Sequence, residues 1–104
     1  MYNRDENLLN VFGNTALSFL NAVYAEFLFS IKYVDRRKNE HLVQSSTMKY
    51  MDKLRMKLEE KAREYIATNR DLLTIDWFHK KLVYLIKQYL QEFLQRTQYL
   101  AVAI

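Results

Sequence analysis

The stretch Asp5–Val34, DENLLNVFGNTALSFLNAVYAEFLFSIKYV, decides the fold class. Its polar side chains Asn7, Asn10, Asn14, Ser18 and Asn21 recur at intervals of 3, 4, 4 and 3, and Ala25 and Lys32 continue the same line. That is the period of an α-helix. The polar stripe is narrow, roughly 80° at 100° per residue. Most of the remaining perimeter is apolar: Leu8, Leu9, Val11, Phe12, Leu17, Phe19, Leu20, Val23, Phe27 and Phe29 among others. No charge occurs from Asn7 to Ala25.

Two further helices are predicted downstream. A charged connection, Asp35-Arg36-Arg37-Lys38-Asn39-Glu40-His41, follows the first. Ser45-Ser46-Thr47 then offers N-cap side chains to a helix from about Met48 to Thr68. Met51, Leu54, Leu58, Ala62 and Tyr65 make one apolar stripe on it, and nearly everything else is charged, the pattern of an outer helix. Asn69 suits the residue after its end, where a left-handed backbone is common. The third helix runs from about Ile75 to Leu100, with Thr74 as N-cap and Ile75, Phe78, Leu82, Ile86, Tyr89 and Phe93 on its inner face. The chain closes on an apolar run, Leu100–Ile104.

Composition agrees. The chain has 104 residues, one glycine (Gly13) and no proline. A sheet protein of this size would need several turns that lean on those residues. The expectation is therefore an all-α single domain over residues 1–104, a bundle of three long helices completed by oligomerisation. With half its residues hydrophobic the chain has material for a core. Cysteine is absent, which excludes disulfides, thiolate metal sites and cysteine nucleophiles. The polar, mixed-charge opening Met1–Glu6 has no signal-peptide pattern, so a cytoplasmic location is expected.

No enzyme signature assembles. One glycine cannot form a phosphate-cradling loop, and neither a zinc-binding HExxH nor an acid-rich calcium loop is present. His79 follows Asp76 by three residues and has no ligand partner nearby in sequence, so it reads as a structural histidine. The expectation is a non-enzymatic protein without metal or cofactor.

Three residue groups are candidates for binding. The segment 35–63 holds nine Lys/Arg against five Asp/Glu, which accounts for the whole net charge of +4. Within it Arg36, Arg37, Lys38, Lys49, Lys53 and Lys57 form a candidate polyanion site. Lys49, Lys53, Lys57 and Lys61 stand at i,i+4 steps, where like charges repel by roughly 0.2–0.5 kcal/mol per pair. The alternative is a solvated helix face.

Second, Trp77 and Tyr84 share one line of the third helix, opposite its inner face, flanked by Lys80, Lys81 and Lys87. Such a patch suits a protein hot spot or base stacking, unless that face packs beneath the first helix. Third, a first helix apolar around most of its circumference invites self-association through Phe12, Phe19, Leu20 and Phe27. The preferred reading is a homo-oligomeric protein acting through protein–protein association as adaptor, regulator or assembly protein. The runner-up is a nucleic-acid-binding protein using the basic segment and the Trp77/Tyr84 face. A membrane-surface protein is third, since the first helix lacks the basic residues such helices carry.

Overall fold

The structure, a computed structural model, describes residues 4–102, with side chains described through Gln98. The opening Met1–Asn3 and the side chains of the apolar run Leu100–Ile104 lie outside the described residues. The chain forms three helices, α1 (Arg4–Ser30), α2 (Glu40–Thr68) and α3 (Asp76–Val102), with a short 3-10 turn at Arg70–Thr74 and no strand among the described residues. The all-α bundle expected from periodicity is what the chain adopts.

The path is up, down, up. α2 runs back along α1: Phe12 meets Tyr65 (ring centroids 5.8 Å), Phe27 meets Tyr50 (6.3 Å), and the Ser30 and Ser46 hydroxyls are hydrogen-bonded at 2.7 Å. α3 runs parallel to α1, with the Tyr89 hydroxyl donating to the Gly13 carbonyl at 3.1 Å and Arg96 Nη1 to Asn21 Oδ1 at 2.8 Å. The result is a rod of 54 × 23 × 18 Å.

α1 supplies the spine of the core. Leu9, Phe12, Ala16, Leu20, Val23 and Phe27 are buried, at steps of 3 and 4. α2 adds Leu54, Leu58 and Ala62, the stripe its sequence marks. α3 adds Phe78, Leu82 and Phe93. Phe27 touches Phe93 edge-to-face at 6.0 Å, and Tyr24 touches Phe93 at 6.2 Å. Asn10, Asn14, Ser18 and Asn21 are exposed, so this polar stripe is an outer line of α1.

Several boundaries differ from expectation. α1 ends at Ser30 rather than Val34, and α2 begins at Glu40 rather than Met48. Ser45-Ser46-Thr47 is not a cap. Nothing in residues 40–47 breaks a helix, and Thr47 turns its hydroxyl back to the Val43 carbonyl at 2.8 Å, a bond that serine and threonine make inside helices. Asn39 occupies the cap position without a side-chain cap bond. Asn69 is not left-handed: its φ is −126°, and both its backbone N–H and its Nδ2 donate to the Tyr65 carbonyl at 3.0 Å. Thr74 does not cap α3; its hydroxyl donates to the Asp71 carbonyl at 3.0 Å within the 3-10 turn.

That turn closes one end of the rod. Leu72 is fully buried, and Asp71 is bridged by Arg4 at the start of α1. His79, half-buried, makes a hydrogen bond of 2.9 Å to the Leu72 carbonyl, the structural role read from its position.

Candidate functional site

The outward face of α3 is open. Trp77 is 49% exposed and Tyr84 56%. Seven residues apart, they fall on one line, roughly 100–180° round the helix from Phe78, Leu82 and Phe93. The alternative in which this face packs beneath α1 does not hold. Lys80 bridges Asp76 at 3.0 Å one turn back, and Lys81 Nζ lies 5.1 Å from the Tyr84 ring centroid. Lys87 is exposed one turn further on. Trp77 meets Phe78 edge-to-face at 6.0 Å, and the indole stays half exposed.

The polyanion candidates do not form one patch. Four-residue steps turn by 400°, so each lysine of the 49-53-57-61 ladder sits about 40° further round α2 than the one before. Lys49 points to solvent, 5.4 Å from the Tyr50 ring centroid. Lys53 has turned toward α1, where its Nζ donates to Glu26 Oε2 at 2.8 Å. Lys57 Nζ lies 5.4 Å from the Phe19 ring centroid, and Lys61 bridges Glu64 at 3.4 Å. Along the ladder, Lys53 is thus paired across the α1/α2 seam and Lys61 within α2. The hydrogen bond from Lys53, aided by the charges of Lys53 and Lys57, holds the Glu26 carboxyl below its ordinary range.

Arg36, Arg37 and Lys38 stand apart, in the turn between α1 and α2. Asp35 Oδ1 accepts the backbone N–H of Arg37 (3.1 Å) and of Lys38 (3.4 Å) and shapes that turn. Arg36 and Arg37 border a groove of about 610 Å³ whose other walls include Val43 and Met48 of α2 and Leu94 of α3. This end of the rod is the one opposite Trp77. Along α3 alone, Trp77 and Leu94 are 17 residues apart, about 25 Å at 1.5 Å per residue.

The proposed oligomer interface needs correction. Phe12, Leu20 and Phe27 are 1%, 0% and 0% exposed inside the single chain, so these three cannot contact a second copy without opening the core. Phe19 alone of the four keeps some exposure, under Lys57. The large apolar side chains of α1 that are exposed, among the described residues, are Val11, Leu17 and Phe29, the last 75% exposed. Phe29 lies nine residues beyond Leu20, and nine steps of 100° make two and a half turns. Periodicity counted from Leu20 was thus the signal that could have found it. The groove had no such signal, because its walls come from residues some fifty positions apart.

Among the described residues no group of three His, Asp or Glu is placed to hold a metal ion, and no helix is long and apolar enough to cross a membrane. The chain matches no family model, no curated protein and no solved structure.

Proposed function

We propose that this chain is a non-enzymatic binding protein that docks another protein on the outward face of α3. One observation carries the reading: Trp77 and Tyr84, large and half-exposed, stand on a single line of a rigid helix whose opposite face is locked in the core. Aromatic anchors on a pre-ordered surface are the usual centre of a protein interface, because they bury much area and lose little rotamer freedom. Lys80, Lys81 and Lys87 around them favour a partner with acidic side chains at its rim.

Nucleic acid is the second reading, supported by the same alternation of aromatics and lysines. Two features weigh against it. The two basic regions sit at opposite ends of the rod rather than along one groove that could track a phosphate backbone. Lys81 also already lies over the Tyr84 ring.

The test places a photo-crosslinking residue at Gln88, on the same face, in the native host. A nuclease-resistant protein adduct that Trp77→Ala removes is expected, with Trp77→Ala weakening the purified complex by about 2 kcal/mol or more. Adducts that vanish with nuclease, together with binding that falls steeply with salt, would replace this reading with the nucleic-acid one.

A further inference from the structure

The outward face of α1 differs from those of its two neighbours in carrying no charge over most of its length. Asn10, Val11, Leu17, Ser18, Ala22 and Ala25 are exposed along it, and the sequence holds no charged residue from Asn7 to Ala25. α2 turns Lys49, Lys53, Arg55 and Arg63 outward, and α3 turns Lys80, Lys81 and Lys87 outward. At the edge of the α1 face Glu26 is already paired with Lys53. Two large apolar side chains stand in water on this face, Val11 at 44% and Phe29 at 75% exposure.

These two side chains are placed symmetrically. The 18 residues between them make about five full turns, so Val11 and Phe29 share one line and stand about 27 Å apart. Ser18 and Ala22 lie between them, about 20° to either side of that line. Both pairs have the same midpoint, at position 20. A second α1 laid antiparallel across that midpoint sets the Phe29 of each copy against the Val11 of the other. It also sets Ser18 of each copy against Ala22 of the other, where short side chains let the helices close.

We propose that the outward face of α1 pairs with a second copy of this chain, in a two-fold antiparallel dimer whose axis passes beside position 20. Charge selects the occupant. In a two-fold dimer a face meets itself, so a face with net charge repels its copy. Each copy carries a net +4, and the α1 line is where the rod brings none of that charge to the contact. Complementary charge, which would single out a different protein, is missing from the same line. The dimer covers Val11 and Phe29 twice over and leaves Phe12, Leu20 and Phe27 in the core of each chain. One helix face is a small contact, so the dimer is reversible and grows with concentration. It does not rest on the α3 docking face, which stays open in it.

The experiment sediments the purified full chain over a hundredfold range of concentration. A monomer–dimer equilibrium is expected, no weaker at high salt than at low, because ions screen charge and not apolar contact. Ala22→Lys and Phe29→Lys should each weaken association tenfold or more. Both residues are exposed, so helix content by circular dichroism should not change. The chain has no cysteine, so introduced thiols report the orientation. Ser18→Cys mixed with Ala22→Cys should cross-link on oxidation. Val11→Cys should not cross-link to itself, since antiparallel pairing holds the two positions about 27 Å apart. Any of four results overturns the proposal: monomer at every concentration, a dimer that salt dissociates, Val11→Cys cross-linking as fast as the mixed pair, or unaltered association in Ala22→Lys. A photo-crosslinker at Ala22 that captures a different protein in the native host, while the purified chain stays monomeric, overturns it as well and assigns the face to that protein.

Discussion

α1 and α3 have the same length, 27 residues, and both carry aromatic residues at helical spacing, yet they divide them differently: α1 leaves Phe29 out near its end, while α3 leaves out a pair on one line. The large side chains of α1 mostly turn inward, where Phe12 and Phe27 pack against aromatic rings of α2 and α3. Those of α3 divide: Phe78 and Phe93 go in, while Trp77 and Tyr84 stay out. The number of apolar residues on a helix therefore says little about how much of it needs a partner. Each helix of a three-helix bundle is covered by the other two along its inner stripe, and α1 lays Phe12, Leu20 and Phe27 in that stripe. Each helix keeps an uncovered line, and an aromatic residue on that line is a surface feature, which is where a binding role is most economically sought.

The largest effect that could break this comparison is on stability. Phe27→Ala and Leu20→Ala remove fully buried side chains and should each destabilise the fold by about 2–5 kcal/mol. Tyr84→Ala should lose about 1 kcal/mol or less, as for an exposed site. Leu72→Ala belongs with the first group although Leu72 is in no α-helix. Denaturant titration at one temperature measures all four. Equal losses at Phe27 and Tyr84 would mean that the two helices are not used differently.

The same comparison shows which parts of the molecule were legible in the sequence. The helical class, the inner stripes of α2 and α3 and the outward line of Trp77 and Tyr84 all follow from spacing, because a helix that packs on one side repeats its burial every 3–4 residues. The start of α2 did not, because Ser45-Ser46-Thr47 serves equally as a cap or as back-bonding side chains within a helix. The oligomer assignment of Phe12, Leu20 and Phe27 failed for a tertiary reason. Coverage of α1 was judged from the stripes of two helices, without the Tyr50 ring that meets Phe27 from α2. The pairing of the lysine ladder is likewise not local. Glu26 relieves Lys53 from 27 positions away, and no local pattern announces that.

Smaller effects sharpen how α1 and α3 are joined. The Tyr89 hydroxyl donates to the Gly13 carbonyl, so Tyr89→Phe should cost about 0.5–1.5 kcal/mol. His79→Ala should cost a similar amount through the Leu72 carbonyl that it leaves. Gly13 sits inside α1 with ordinary helical backbone and no positive φ. A Cβ built there would meet only the Tyr89 hydroxyl oxygen, at 3.4 Å, ordinary contact at its near limit. Gly13→Ala should therefore raise stability, by up to about 1 kcal/mol from helix propensity. A loss of stability would show that the α1/α3 seam is too tight at Tyr89 for one methyl group. The Gly13→Ala, Tyr89→Phe double variant separates the two contributions.

The smallest expected effect distinguishes the α1/α2 seam from the core beneath it. Glu26 and Lys53 are each about half exposed, so water and salt screen their attraction. Because the Lys53 hydrogen bond favours the charged carboxylate, the Glu26 carboxyl is depressed below its ordinary value of 4.5. The sign follows from linkage: a depressed carboxyl contributes stability above its unfolded value and loses that contribution as pH falls through its folded value. The difference in Tm between the wild type and Glu26→Gln should therefore be small and favour the wild type at pH 7. It should narrow as pH falls below 4.5, and shrink with added salt at pH 7. Glu26→Lys should lower Tm further than Glu26→Gln, because it adds a cation opposite Lys53 and Lys57. Phe27→Ala, one residue away but facing the core, should keep most of its deficit at any salt concentration. If the Glu26→Gln difference were unchanged from pH 7 to pH 3, the ion pair would not be what quiets the lysine ladder, and the seam would be held by the Lys57–Phe19 contact and the aromatic edges alone.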